Sequence, residues 1–243
     1  MRPRLLLVPE ITELQWTIRP ALEEWAEVRS YDAPGIASEP RPEDLSNVSK
    51  QLLVDRGLEE IDRAGWESFF VAADGWAIGT AVGIAKERPE ATLGLALGHA
   101  RLSQRRAGER APVNGEIYAA VTQLVDNDAQ SFIRYAIVQA TGGSVDEDEA
   151  AQIMSRVPEE DMAEGWKLLT ADEPYEEELR RLDHPLLLAK HEGCLMMTEE
   201  GFEDAVAALP GAEVIAVEKA PCTSPEFARA LRRFCEGLSE PKA

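Results

Sequence analysis

Six short runs, Leu5–Val8, Glu27–Tyr31, Phe69–Ala73, Thr92–Leu97, Leu186–Ala189 and Val214–Val217, are separated by stretches whose apolar residues recur at helical spacing. Most of the runs are near-continuously apolar, the pattern of strands buried on both faces, and strands of that kind need helices to cover them. The order therefore predicts an α/β fold: a mainly parallel sheet with helices on both faces and right-handed crossovers. The helices expected between the runs span Ile11–Val28, Leu45–Ala64 with Gly65 as its stop, Trp76–Glu87 ended by Pro89, Glu199–Leu209, and Pro225–Glu236.

The alternation lapses once. From Arg101 to Trp166 only helical patterns occur, at Gly115–Leu124, Ala129–Thr141, Glu147–Val157 and Glu159–Leu168, with Gly142-Gly143 and Pro158 between them. A helical block between two strands of one sheet reads as an inserted cap. The expected organisation is a core of residues 1–100 and 167–243 interrupted by a helical cap at 101–166.

At 243 residues the chain can bury one substantial core. Its formal charge of −20 repels phosphate backbones and anionic lipid, which argues against nucleic acid and membrane surfaces as partners. The run Leu5–Val8 is too short for the apolar core of a signal peptide, and Pro9-Glu10 ends it. Three cysteines, Cys194, Cys222 and Cys235, are too few and too unevenly spaced for a disulfide framework. A cytoplasmic location is the expectation.

Strand Phe69–Ala73 runs straight into the next helix through Asp74-Gly75-Trp76-Ala77. The chain resembles the α/β-hydrolase fold over nearly its whole length, as a short member without the leading antiparallel hairpin. Four places carry the resemblance: the turn Asp32-Ala33-Pro34-Gly35, the sharp strand-to-helix turn at Gly75, the helix end at Ala85 to Glu90, and Pro210-Gly211-Ala212-Glu213 before the last strand. In that family the turn after the third of these strands holds a serine in a G-x-S-x-G frame, and the following backbone N–H is aimed at an oxyanion.

The resemblance implies a catalytic triad at three positions, and this chain has substituted all of them. The nucleophile position is Gly75. The acid, which follows the strand matching Leu186–Ala189, falls on Cys194, and the base after the last strand falls on Cys222. The oxyanion loop, usually opening His-Gly, reads Pro9-Glu10; proline offers no N–H and the carboxylate would repel a developing oxyanion. Acyl transfer needs a nucleophile, a base and a group to orient the base. The expectation is a catalytically silent homologue.

The same edge offers other chemistry. Cys194 and Cys222 can pair as a disulfide, bind a soft metal with His191, or supply a thiolate. Their expected separation is too large for S–S geometry, and two cysteines with one histidine fall short of a four-ligand zinc site, so neither metal nor cofactor is expected. Cys235 reads as packing on the last helix. Asp74 is the carboxylate expected nearest the would-be nucleophile, a weak candidate for activating water or holding a ligand. His99 and His184 match no family catalytic position, while His191 lies within reach of the strand ends. Trp76, His191, Leu195, Met196 and Met197 are the expected lining of a pocket between sheet and cap.

Two functions follow as expectations. The first is a pseudoenzyme that holds a small apolar or amphipathic molecule in that pocket or binds a protein partner, with a homodimer as one form. The second is a hydrolase of esters or related substrates with a displaced mechanism that uses Cys222 as nucleophile or Asp74 as base.

Overall fold

The computed structural model describes residues 2–10, 12–34, 39–40, 43, 49–100, 115–140, 146–154, 175–192, 194 and 198–239. Its centre is a six-stranded sheet made of β1 (Arg4–Val8), β2 (Glu27–Ser30), β3 (Phe69–Asp74), β4 (Thr92–Gly98), β5 (Leu186–His191) and β6 (Glu213–Val217), in the order β2-β1-β3-β4-β5-β6. Every adjacent pair is parallel. All six expected strands are present, within a residue or two at their ends.

Strand geometry sends alternate side chains to opposite faces, and the core divides accordingly. Leu6, Val8, Phe69, Val71, Leu95, Leu97 and Leu188 face one cluster, which the helices α2 (Lys50–Ala64) and α3 (Ile78–Glu87) cover through Leu53, Val54, Ile61, Ile78, Ala81 and Ile84. Leu5, Leu7, Phe70, Ala72, Ala96, Leu187 and Ala189 face a second cluster, closed by Leu22 of α1 (Arg19–Glu23) and by Phe227, Leu231 and Phe234 of the C-terminal helix at Pro225–Ser239. Phe69 and Phe70, adjacent in sequence, thus anchor opposite faces, and each is no more than 1% exposed. Full burial of such a ring contributes about 1.5–3 kcal/mol, which fixes the register of β3 at the centre of the sheet.

Helix boundaries follow local chemistry. Ser49 caps α2 by accepting the Leu52 N–H, and Gly65 ends it with φ +66. The expected start at Leu45 falls among residues outside the described set. The helical pattern from Ile11 to Val28 does not form one helix: a 3-10 turn at Glu13–Gln15 is followed by the five-residue α1. The buried Asp32 carboxylate takes the Thr12 hydroxyl at 2.8 Å and the Glu13 N–H at 3.0 Å, which fixes the first turn, and Pro20 starts a new helix.

Between β4 and β5 the described residues include α4 (Gly115–Ala140) and α5 (Glu147–Met154). The two helical patterns expected at 115–124 and 129–141 join at a kink, where Asp128 leaves helical geometry (φ −157°, ψ 73°) and accepts the Ser131 N–H. Val125 of α4 is buried in the cluster that Ile78 and Ala81 of α3 also join. Among the described residues, no helix is long and apolar enough to cross a membrane.

Candidate functional site

The carboxyl ends of β3, β4, β5 and β6 meet at one edge of the sheet, and Asp74, Gly75, His99, His191, Cys194 and Cys222 gather there. β3 ends at Asp74. Gly75 then turns with φ +53°, a left-handed conformation that glycine adopts without a Cβ clash, and a 3-10 turn at Gly75–Ala77 leads into α3. The strand-to-helix elbow is therefore intact.

Glu10 occupies the space above it. Its Oε1 accepts the Trp76 backbone N–H at 2.8 Å, and a Cβ built on Gly75 would overlap that same oxygen. This N–H, on the residue after the nucleophile position, is the one an elbow of this type aims at an oxyanion. A carboxylate oxygen thus takes the Trp76 N–H and fills the volume that a side chain at residue 75 would enter. Glu10 is in turn held from behind, since its own N–H donates to Oε1 of the buried Gln15 at 2.8 Å. Gln15 lies in the turn pinned by Asp32. Asp74 is consequently not the nearest carboxylate to the nucleophile position: Glu10 is, and Asp74 points elsewhere.

Asp74 is 4% exposed and bonds across the sheet edge. Its Oδ1 stands 2.5 Å from His99 Nδ1, and its Oδ2 accepts the Cys222 backbone N–H at 3.4 Å. Register explains the first contact, because Asp74 pairs with Gly98 on β4 and His99 is the next residue. Gly98 leaves the room: a Cβ there would come within 2.6 Å of both Asp74 Oδ1 and Pro221 Cγ. His99 carries φ +52°, the one non-glycine residue in that region among those described, a strain of about 1–2 kcal/mol held where the ring meets the carboxylate.

The chain of contacts continues. His99 Nε2 stands 3.1 Å from His191 Nδ1, with the two rings edge to face. His191 ends β5, and the Cys194 N–H donates back to the His191 carbonyl. The side-chain ligand atoms of His99, His191 and Cys194 all lie within 4.8 Å of one another.

Electrostatics follow this geometry. Burial would raise the Asp74 carboxyl, but the charge and hydrogen bond of His99, with the bonding at Cys222, outweigh it and hold the group below its ordinary value. Burial would lower His99, yet the charge and hydrogen bond of Asp74, followed by those of Cys194, carry it well above. His191 moves the other way, lowered by burial and then by the charge of His99. Burial, with the nearby charges of Asp74 and Glu10, pushes the Cys222 thiol well up.

The expected site residues thus separate into two groups. Gly75 meets Glu10; Asp74 joins Cys222 to His99; His191 and Cys194, joined by a backbone hydrogen bond, meet His99. None of the three cysteines is in a disulfide. Trp76 is half-buried and packs on the cluster that contains Val125 of α4. Leu195, Met196 and Met197 lie outside the described residues, and so do residues 101–114, 141–145 and 155–166 of the expected cap. Sequence reasoning missed His99 as a partner of Asp74 and read Glu10 as a repulsive group instead of an occupant. Aligning the strand ends, which puts Gly98 beside Asp74, is the signal that reveals His99.

No protein-family model matches the sequence, and no curated protein matches it. Solved structures do. A bromoperoxidase from Bacillus anthracis superposes with a TM-score of 0.76 at 13% identity, covering 97% of this chain and 92% of its own. An enol-lactonase from Burkholderia xenovorans LB400 gives 0.71 at 14% identity, covering 98% and 91%. An alpha/beta hydrolase enzyme from a Medee basin deep-sea metagenome library gives 0.72 at 10% identity, covering 100% and 91%. The parallel sheet, the elbow after β3 and these near-complete superpositions together identify the architecture: the chain has the α/β-hydrolase fold.

Proposed function

We propose that this α/β-hydrolase homologue carries out no acyl transfer at its elbow and works by binding, holding a small apolar or amphipathic molecule or a protein partner on the cap side of the sheet. One observation carries the reading: the Glu10 carboxylate sits over Gly75 and takes the Trp76 N–H. A hydrolase of this fold needs that volume for its nucleophile and that donor for the oxyanion. The half-buried Trp76, packed on the cluster that α4 joins, supports the cap side as the binding face.

The displaced mechanism finds less support. A thiol buried to 3% exposure and pushed up by two neighbouring carboxylates makes a poor nucleophile at Cys222. Asp74 is held by His99 and the Cys222 N–H, so both its oxygens are engaged within the protein.

The test is turnover of a panel of esters, thioesters and amides by the purified chain against a matched blank. The expected result is a rate indistinguishable from the blank. Turnover that disappears in Cys222→Ala or Asp74→Asn would overturn the proposal in favour of the displaced mechanism.

A further inference from the structure

We propose that His99, His191 and Cys194 form a binding site for a divalent transition-metal ion of zinc's class, with Asp74 orienting His99 from behind. The site goes beyond the reading of Gly75 and does not depend on it.

Three observations converge. The first is spacing. Two zinc–nitrogen bonds of about 2.0–2.1 Å in tetrahedral geometry place their nitrogens about 3.3 Å apart, and His99 Nε2 and His191 Nδ1 stand 3.1 Å apart. Cys194 Sγ completes a triangle whose members all lie within 4.8 Å of one another. Three protein ligands leave a fourth position for solvent, an open arrangement.

The second is orientation. Metal-bound histidines commonly give their other ring N–H to a carboxylate, which fixes tautomer and ring direction. His99 has that partner in Asp74, at 2.5 Å on Nδ1, which leaves Nε2 facing the triangle.

The third is construction. Each ligand comes from a fixed point: His99 from the end of β4, held by its N–H to the Ala189 carbonyl; His191 from the last residue of β5; Cys194 from the turn closed on His191. The strained φ of His99 and the bare Cα of Gly98 keep the Asp74–His99 contact in place. Two imidazoles and a thiolate suit zinc and its neighbours better than calcium or magnesium, which take oxygen ligands. On loading, the proton of the Cys194 thiol and the proton held between the facing ring nitrogens pass to solvent, and bonds to the ion replace the His99 Nε2–His191 Nδ1 hydrogen bond.

Cobalt(II) reports on such a site directly. Chelator-stripped protein titrated with Co2+ is expected to develop visible ligand-field bands and a near-ultraviolet thiolate-to-cobalt charge-transfer band, saturating at about one ion per chain and bleached by added Zn2+. Cys194→Ser, a half-buried position whose folding is checked by circular dichroism, should abolish the charge-transfer band, whereas Cys222→Ala should retain it. Asp74→Asn should weaken binding about 10–100-fold with the band kept. Absence of the bands in folded wild-type protein, or a charge-transfer band that survives Cys194→Ser or disappears in Cys222→Ala, would overturn the site.

Discussion

Glu10 Oε1 accepts the Trp76 backbone N–H at 2.8 Å, 66 residues away in sequence, across the mouth of the strand-to-helix turn. The contact couples the loop after β1 to the start of α3, and it places a carboxylate against the positive end of that helix, where negative charge is favoured. A residue that reads from sequence as hostile to an oxyanion accepts, in the structure, the backbone N–H after Gly75. The elbow keeps its donor satisfied without substrate.

This coupling predicts a non-additive mutant cycle. Gly75→Ala should destabilise the protein by about 1–2 kcal/mol for its positive φ, with a further cost from pushing Glu10 off the Trp76 N–H. In a Glu10→Ala background the further cost should vanish, leaving the backbone cost alone. Urea unfolding of the four proteins measures the coupling, and a purely additive cycle would show that Glu10 does not occupy that space in solution.

The Asp74–His99 pair makes a second prediction. Removing one member of a buried, hydrogen-bonded charge pair strands the other, at a cost of about 3–5 kcal/mol. His99→Ala should therefore destabilise strongly by urea unfolding. Adding Asp74→Asn to it should recover part of the loss, because the stranded carboxylate is then gone. Equal or greater destabilisation in the double variant would mean that the pair is not a pair.

Thiol accessibility gives a third. Cys222 and Cys235 are 3% and 0% exposed, whereas Cys194 is half-buried at the sheet edge. Brief alkylation of the native protein with iodoacetamide, mapped by mass spectrometry, should modify Cys194 first and the other two only on unfolding. Rapid modification of Cys222 in folded protein would revive the displaced thiol mechanism.

How much of this was legible in the sequence depends on the range of the interaction. The strands were readable because Leu5–Val8, Phe69–Ala73 and Leu186–Ala189 are buried on both faces and so carry an unbroken apolar signal. The elbow was readable because a strand passes into a helix through a glycine with no intervening loop. The break before helix α1 is not legible in periodicity because Asp32 pins Thr12 and Glu13 from 20 and 19 residues away. The same limit hid the site. Cys194 and His191 are three residues apart and joined by a local backbone hydrogen bond, but His99, the third member of the group, is 92 residues from His191 and is brought in by the register of β4 on β3 and β5. Glu10 was visible as a charge in the wrong loop, but its position over Gly75 follows only once β1 is paired with β3.

The most direct test of the central claim is stepwise restoration of the elbow, read by labelling with a fluorophosphonate probe that reacts with activated serines. Gly75→Ser combined with Cys194→Asp and Cys222→His should stay unlabelled while Glu10 is present, and adding Glu10→Gly, which frees the Trp76 N–H and the volume above residue 75, should allow labelling. Equal labelling with Glu10 in place would contradict it, because the carboxylate would then not be what closes the elbow.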